Sequence, residues 1–370
     1  MTSAVPIQNL YYMLLYVWDV PDQRNRVRVD AEKCHSLPNL FVQLLIGATE
    51  HLLKHGLVQE YRNRQEEIEG LRGKLCIGET LKHGRLRQGK TICEVAELTH
   101  DVLLNQIVYT TLVNVYHMDD VESANRKRVA KLIRRFPTTK RIQLSKEIFG
   151  NVHIHRNNRF YHLILHLCAM LQQSLLPKEG TKGDYEFLDF SRDEKKMNRL
   201  FERFLMNFCK YHCREEFPEV KRTNIEFQLS PYGMVFSQDN NEAARLLPTM
   251  QTDVTLYNPQ TGRKTILDAK YYQQTLTSRF DTQGKIRREH LSQILSYVVS
   301  QEQTEEPHTL STDGILVYPT VTEDYDVAYR YRNTDHTIRV STINLNQDWQ
   351  LIEARLKDIV ERKIEFEVRL

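Results

Sequence analysis

The sequence predicts two domains of mixed secondary structure: an α+β N-terminal domain with a small β-rich module inside it, residues 1–155, and a C-terminal mixed α/β domain, residues 156–370. Three observations predict this. Apolar residues recur at helical spacing on both sides of a glycine-containing, strand-like stretch between about 57 and 95. Turn residues punctuate the chain at Pro177-Lys-Glu-Gly-Thr-Lys-Gly183, so the boundary falls within 150–183, preferably near 156. Beyond it the pattern runs helix, antiparallel strands, helix, strand.

Composition bounds the classes that remain. The 370 residues are 41% hydrophobic and 27% charged, enough for two domains with separate cores. A formal net charge of +3 demands no nucleic acid overall but leaves room for local basic clusters. The start, Met-Thr-Ser-Ala-Val-Pro6, lacks the basic-then-apolar order of a signal peptide. No apolar run approaches the roughly 20 residues that span a bilayer, so a cytosolic protein without membrane association is expected. Cys34, Cys76, Cys93, Cys168, Cys209 and Cys213 form no CxxC pair, which suits reduced and mostly buried thiols. Cys209, His212 and Cys213 share helical spacing, but no second pair of metal ligands stands nearby.

In chain order, Ile7 to Trp18 places Leu10, Met13, Leu14 and Val17 on one helical stripe, and Leu40 to Leu57 reads as a second helix after Pro38. Strand-like segments follow at 57–61, 70–78 and 90–95. Between them, Gly84-Arg-Leu-Arg-Gln-Gly-Lys-Thr91 matches the phosphate-loop pattern GxxxxGK[ST] letter for letter. Its context argues against nucleotide binding, because such a loop follows a buried strand and opens a helix, whereas here Ile92-Cys-Glu-Val95 is strand-like. A basic surface loop with Lys82, Arg85, Arg87 and Lys90 is the expectation. Helices are expected at 101–116, at the strongly basic 126–135, and at 159–176. The basic helix reads as a solvated face or a phosphate-contacting one. His162 and His166, one turn apart on an apolar helix, read as ordinary helix histidines.

In the C-terminal half, Ser191-Arg-Asp-Glu194 is read as a capping box opening a helix to about Cys213, with Glu202 on the flank of its apolar stripe. Strands are expected at 224–229 and 233–237, a helix at 286–300, a strand at 314–318, further alternation through 326–344 and a last helix over about 346–360. Met250 to Tyr272 is a hairpin turning at Asn258-Pro-Gln-Thr-Gly262. Centring the turn on Gln260-Thr261 sets Asn258 against Arg263 and therefore Asp253 against Asp268. Strand alternation puts Asp268 and Lys270 on one surface. Opposed strand residues lie about 4.5–5.5 Å apart at Cβ, too close for two ionised carboxylates unless a cation lies between them. Other Asp/Glu-x-Lys triples, such as Asp193-Glu-Lys195, fall on expected helices, where i and i+2 diverge. Two acids and a lysine on one strand surface supply what phosphodiester hydrolysis needs: a seat for a hard cation and a positive group beside the attacked phosphate.

These residues resemble the PD-(D/E)XK nuclease motif, and the chain as a whole resembles the McrC family of nuclease subunits from McrBC modification-dependent restriction systems. The resemblance rests on Ile7-Gln-Asn-Leu-Tyr-Tyr-Met-Leu14, Gly70-Leu-Arg-Gly73, Thr99 to Asn105, Tyr185 to Glu202, Leu247 to Tyr272 and Leu316-Val-Tyr-Pro319. It implies a restriction-endonuclease-like C-terminal domain with Asp253, Asp268 and Lys270 catalytic. Asp253 and Asp268 would ligate Mg2+, with Glu202 as a third acid. Thr252 stands where the motif has proline, a position that supplies backbone shape and no ligand. Gln293 and Tyr297 resemble a QxxxY pair facing DNA. The resemblance further implies an N-terminal domain that docks on a hexameric McrB-like AAA+ GTPase and stimulates it, for which Arg72, Arg85, Arg87 and Lys90 are the candidate contacts. GTP would be bound by that partner and not by this chain. Double-stranded DNA with a modified cytosine would be the substrate, and two copies of the chain would meet in the full complex. Two other readings remain: a non-catalytic adaptor that activates a GTP-driven DNA motor, and a self-sufficient nuclease.

Overall fold

The computed structural model describes residues 5–23, 36–152, 154, 158, 161–177, 185–187, 191, 193–229, 245–272, 285–303, 305–322 and 324–363. The expected strand at 233–237, His153, His155 and the punctuating stretch 178–183 lie outside them. The chain divides into two compact units, Asn25–Asp189, and Met1–Arg24 together with Phe190–Leu370. This spatial division differs from a boundary near 156: helix Tyr161–Ser174 falls in the first unit and helix Ile7–Val17 in the second.

In the first unit, helices Leu37–His55, Leu103–Tyr116, Ser123–Arg135 and Tyr161–Ser174 pack on one another. Their apolar stripes meet through Phe41, Leu45, Ile107, Val108, Val129, Leu132, Ile164 and Leu167, all buried. Pro38 sits in the first turn of its helix, where the missing N–H has no partner to lose. The β-module is a three-stranded antiparallel sheet with Lys90–Thr99 between Glu60–Glu69 and Lys74–Leu75. Its longest outer strand is Glu-Tyr-Arg-Asn-Arg-Gln-Glu-Glu-Ile-Glu, whose lack of apolar alternation hides it from a reading of the sequence; the ladder from Glu60↔Thr99 to Glu69↔Lys90 holds it instead. Of the expected strand 70–78 only Lys74–Leu75 pairs, and Ile77–Lys82 is a short helix. Gly84–Thr91 forms a 3-10 turn over Arg85–Gln88 that leads straight into the strand at Lys90, so no helix opens after Gly89.

In the second unit, a six-stranded mixed sheet runs in the order 326–330, 337–344, 313–320, 264–269, 254–257, 219–221. The strands Lys264–Ala269, Asp313–Thr320 and Thr337–Asn344 are mutually parallel, and the remaining pairs are antiparallel. Helices Glu194–His212 and Arg288–Val299 pack on the central strand Lys264–Ala269, in which Thr265 to Ala269 are all buried. A Cβ on Gly314 would lie 2.8 Å from Ile294 Cγ1 and 2.9 Å from Val298 Cγ2, so this glycine lets helix Arg288–Val299 lie close on the sheet. The N-terminal helix joins this unit through polar and aromatic contacts. Asn9 Nδ2 donates to the carbonyls of Leu345 and Gln347, both at 2.8 Å, and the Tyr16 ring lies 5.5 Å from Phe204 and 5.9 Å from Trp349.

Helix Glu194–His212 opens on Asp193, whose Oδ1 accepts from Lys196 N at 3.1 Å, so the cap expected at Ser191 lies two residues further on. Replacing Asp193 by Ala is expected to cost about 1 kcal/mol, read as a shift of the urea midpoint with an unchanged slope. Among the described residues, no helix is long and apolar enough to cross a membrane.

Candidate active site on the central hairpin

The hairpin forms in the register that its turn dictates. Asn258 Oδ1 accepts from Gln260 N at 2.9 Å and from Thr261 N at 3.2 Å, and Asn258 N donates to Arg263 O at 2.9 Å. The ladder then runs from Tyr257↔Lys264 to Val254↔Leu267. One further rung would pair Asp253 with Asp268, but the chain bends there. Met250 and its neighbours form a separate two-stranded ribbon with Asn224–Glu226, and Thr252 N donates to Thr223 O at 3.0 Å, which draws the chain out of the sheet. Asp253 is thus not a strand residue. Its carboxylate turns back across the missing rung, and Oδ2 accepts from Ala269 N at 2.8 Å.

Asp268 and Lys270 share a face as strand parity requires, and Lys270 Nζ lies 2.7 Å from Asp268 Oδ2. The buried Asp268 Oδ2 has this ammonium as its close partner. Lys270 Nζ also donates to Gln293 Oε1 at 2.8 Å; Gln293 Nε2 donates to Tyr297 Oη at 2.7 Å, and Tyr297 Oη to the Gln251 carbonyl at 2.9 Å. Gln293 and Tyr297 therefore belong to a chain of hydrogen bonds that fixes the ammonium, and the Tyr297 hydroxyl points inward. Glu202 sits at the edge of the site: Oε1 accepts from Asn198 Nδ2 at 2.6 Å and Oε2 from Arg222 Nη2 at 3.1 Å. Asn198 also accepts from Tyr271 N at 2.9 Å and so clamps the strand just past Lys270. The acid-acid-lysine motif does not point to Arg222, Asn198 or the Gln251 carbonyl, which reach the site through the fold.

Burial drives the electrostatics. It raises the Asp268 carboxyl to about 7 against the opposing pull of Lys270, with Asp253 and Glu202 pushing the same way. Asp253 and Glu202 are raised too, chiefly by burial, and Glu202 further by Asp253. Nearby His290, buried and facing Lys270 and Arg287, is lowered to about 4; its Nδ1 lies 2.8 Å from Tyr318 Oη and its ring stacks on Tyr272.

Among the described residues, no three His, Cys, Asp or Glu side chains form a closed metal-ligand set. Cys209 and Cys213 are buried, and His212 turns to Tyr16 Oη at 2.6 Å, so no zinc site forms there. The hairpin offers something looser: a buried carboxyl beside Lys270 and a second aspartate close enough to raise it. That donor set fits Mg2+, which keeps several waters and takes one or two carboxylates plus substrate phosphate oxygens.

A pH effect follows. Between the ordinary carboxyl value near 4 and about 7, the folded protein holds a proton on Asp268 that the unfolded chain has released, so stability falls as pH rises through that window. A divalent cation held by Asp253 and Asp268 would favour the ionised form. Added Mg2+ is therefore expected to raise Tm more at pH 8 than at pH 5.5, and the difference should vanish in Asp268→Asn; scanning fluorimetry reads both.

Of the expected partner contacts, Arg85 Nε and Lys90 Nζ each lie 3.0 Å from Glu67, and Arg72 and Arg87 are exposed. The same module exposes Leu71, Ile77, Leu81 and Leu86.

Comparison with known proteins places the chain. It is 28% identical over 358 residues to the Type IV methyl-directed restriction enzyme EcoKMcrBC of Escherichia coli strain K12, covering 97% of this chain and 98% of that protein. Its fold resembles a chain in the assembly of Thermococcus gammatolerans McrB AAA+ hexamers with bound McrC, with a TM-score of 0.57 at 18% identity over 96% of this chain and 76% of that one. The family model for the McrBC 5-methylcytosine restriction system component matches residues 5–319, and the chain belongs to that family.

Proposed function

We infer that this chain is the McrC-like, DNA-cleaving subunit of a modification-dependent restriction complex, with the unit built from Met1–Arg24 and Phe190–Leu370 folded as a Mg2+-dependent PD-(D/E)XK endonuclease. The observation that carries the reading is the hairpin: Asp253 and Asp268 side by side, with Lys270 in contact with Asp268 and held by Gln293. A hydrophobic hairpin with an incidental ion pair has no need of a second acid that raises the first.

The residues divide the work. Asp253 and Asp268 would hold Mg2+, which when bound supplies a Lewis acid for the phosphate oxygens and lowers the pKa of a water. Lys270 presents a fixed ammonium to the attacked phosphate, where negative charge grows in the transition state. The relay through Gln293 and Tyr297 to the Gln251 carbonyl keeps that ammonium from wandering, so little reorganisation accompanies the reaction. Ala269 N orients Asp253.

An AAA+ GTPase partner accords with the fold similarity, and the β-module suits its docking. Arg72 and Arg87, exposed beside Leu71, Ile77, Leu81 and Leu86, give a surface that is both cationic and apolar. GTP and the modified cytosine in double-stranded DNA would be bound by the partner, and two copies of this chain would meet in the full complex. The test mixes the purified chain with an McrB-like AAA+ GTPase from the same source, methylated DNA, Mg2+ and GTP. Double-strand breaks that need every component support the reading. Cutting by the chain alone, without GTP or partner, would instead mark a self-sufficient nuclease, and stimulated GTP hydrolysis without any cutting would mark an adaptor.

A further inference from the structure

Helix Glu194–His212 presents Arg199, Arg203 and Lys210 on its outer side, at i, i+4 and i+11, while its apolar stripe faces the sheet. The edge strand Glu219–Lys221 and Arg222 just beyond it stand opposite. Together they line a groove of about 590 Å³, whose wall also includes Glu202. Five cations thus face one carboxylate, and that carboxylate is already engaged by Arg222 at 3.1 Å. Lys221 reaches Glu219 at 2.9 Å in an exposed pair. Arg199 and Lys210 are exposed and form no ion pair among the described residues.

Lys196 has Asp193 at 3.7 Å, Lys357 has Glu361 at 3.8 Å and Arg362 has Asp358 at 2.8 Å; Lys127, Lys131, Arg134 and Arg135 on helix Ser123–Arg135 form no ion pair among the described residues, but Arg199 and Lys210 do so in the wall of a groove. Unbalanced charge in a concave wall focuses an anion-attracting field. From Arg199 to Lys210 the helix extends about 16 Å, comparable to the axial rise of about five phosphates on one DNA strand. The groove is also continuous with the carboxylate site, because Glu202 and Arg222 belong to both.

We propose that this groove binds the sugar-phosphate backbone of the DNA strand flanking the scissile bond, with Arg199, Arg203 and Lys210 as backbone-positioning residues and Arg222 as the joint to the carboxylates. The proposal rests on the nuclease reading for its substrate. An acidic protein surface would also meet the charge, but continuity with the hairpin carboxylates favours the polymer that is to be cut there.

The test uses the full chain carrying Asp268→Asn, so that bound DNA stays intact, and a fluorescein-labelled duplex followed by anisotropy across a salt series. Adding Arg199→Gln and Lys210→Gln is expected to weaken binding at least about tenfold and to reduce the slope of log affinity against log salt by about two, near 0.9 per lost phosphate contact. Arg203→Gln should deepen both effects, and circular dichroism and Tm should stay unchanged. In the cutting-competent background, the double variant should raise KM with kcat preserved. Unchanged affinity and slope in a folded double variant overturn the groove, whether or not Asp268→Asn abolishes cutting. So does loss of association with the AAA+ GTPase at unchanged DNA affinity. A wild-type chain that binds DNA through these residues but never cuts it would refute the nuclease reading and leave the groove standing.

Discussion

Asp268→Ala is expected to abolish DNA cleavage, a loss of at least about a thousandfold on the scale of a removed transition-state stabiliser, while partner association and GTPase stimulation persist. The size follows from the site. Asp268 is 1% exposed on the central strand, touches Lys270 and is raised by Asp253, so its removal would take away a proposed metal ligand and the carboxylate beside the ammonium. Persistence of the partner functions follows from distance in the chain: the docking candidates lie on the β-module within Asn25–Asp189, a separate compact unit. Asp268→Asn, which keeps shape and changes only charge, should lose cleavage as completely. Gel analysis of cut plasmid against phosphate release by the partner separates the two activities, and wild-type cutting by either variant would remove Asp268 from the chemistry.

The second large effect concerns stability. Arg339 is 2% exposed within the sheet, where Nε donates to Asp326 Oδ1 at 2.8 Å, Nη2 bonds Asp326 Oδ2, and Nη1 donates to the Ile359 carbonyl at 2.8 Å. Ser341 Oγ donates to Asp326 at 2.8 Å and Arg355 lies 3.0 Å away. Asp326→Ala would leave the buried guanidinium with only Asp358 at 3.7 Å as an acid partner, and leaving such buried donors unsatisfied costs about 1–3 kcal/mol. Most surface pairs in the chain are worth less, about 0–1 kcal/mol. The pair also predicts acid sensitivity. Burial works against the Asp326 charge, but the hydrogen bonds from Arg339 and Ser341 and the charges of Arg339 and Arg355 outweigh it and bring the carboxyl to about 2. A depressed carboxyl stabilises the fold above its unfolded value near 4 and loses that contribution as pH falls toward 2. Urea midpoints should drop between pH 4 and 2 in the wild type and drop less steeply in Asp326→Ala. A midpoint for Asp326→Ala equal to the wild type's at pH 7 would contradict the account.

Much of the hairpin was legible because its information is local. Asn258 and Gly262 fix the turn, the turn fixes the register, and parity then places Asp268 beside Lys270. The bend at Asp253 was not legible, since it arises from Thr252 pairing with Thr223, far back in the chain. The same holds for Arg222, which meets Glu202 only because strand Glu219–Lys221 returns beside helix Glu194–His212. The polar strand Glu60–Glu69 carries no period-two signal because it is stabilised by ladder bonds more than by burial. Helix Ile7–Val17 read correctly as a core helix, but nothing in its periodicity says whose core; Asn9 and Tyr16 decide that by their partners in the C-terminal half. Arg339, in an alternating strand, looks from sequence like an outward residue, and only the packing of helix Trp349–Glu361 over it reverses that.

The most direct test of the central claim is a nicking assay on complexes assembled from wild-type and Asp268→Asn chains in varying ratio, with partner, GTP, methylated DNA and Mg2+. The account predicts that double-strand breaks give way to single-strand nicks as the variant fraction rises, that both disappear when the variant is alone, and that GTP hydrolysis stays constant throughout. Undiminished double-strand cleavage by complexes containing only Asp268→Asn chains would contradict it.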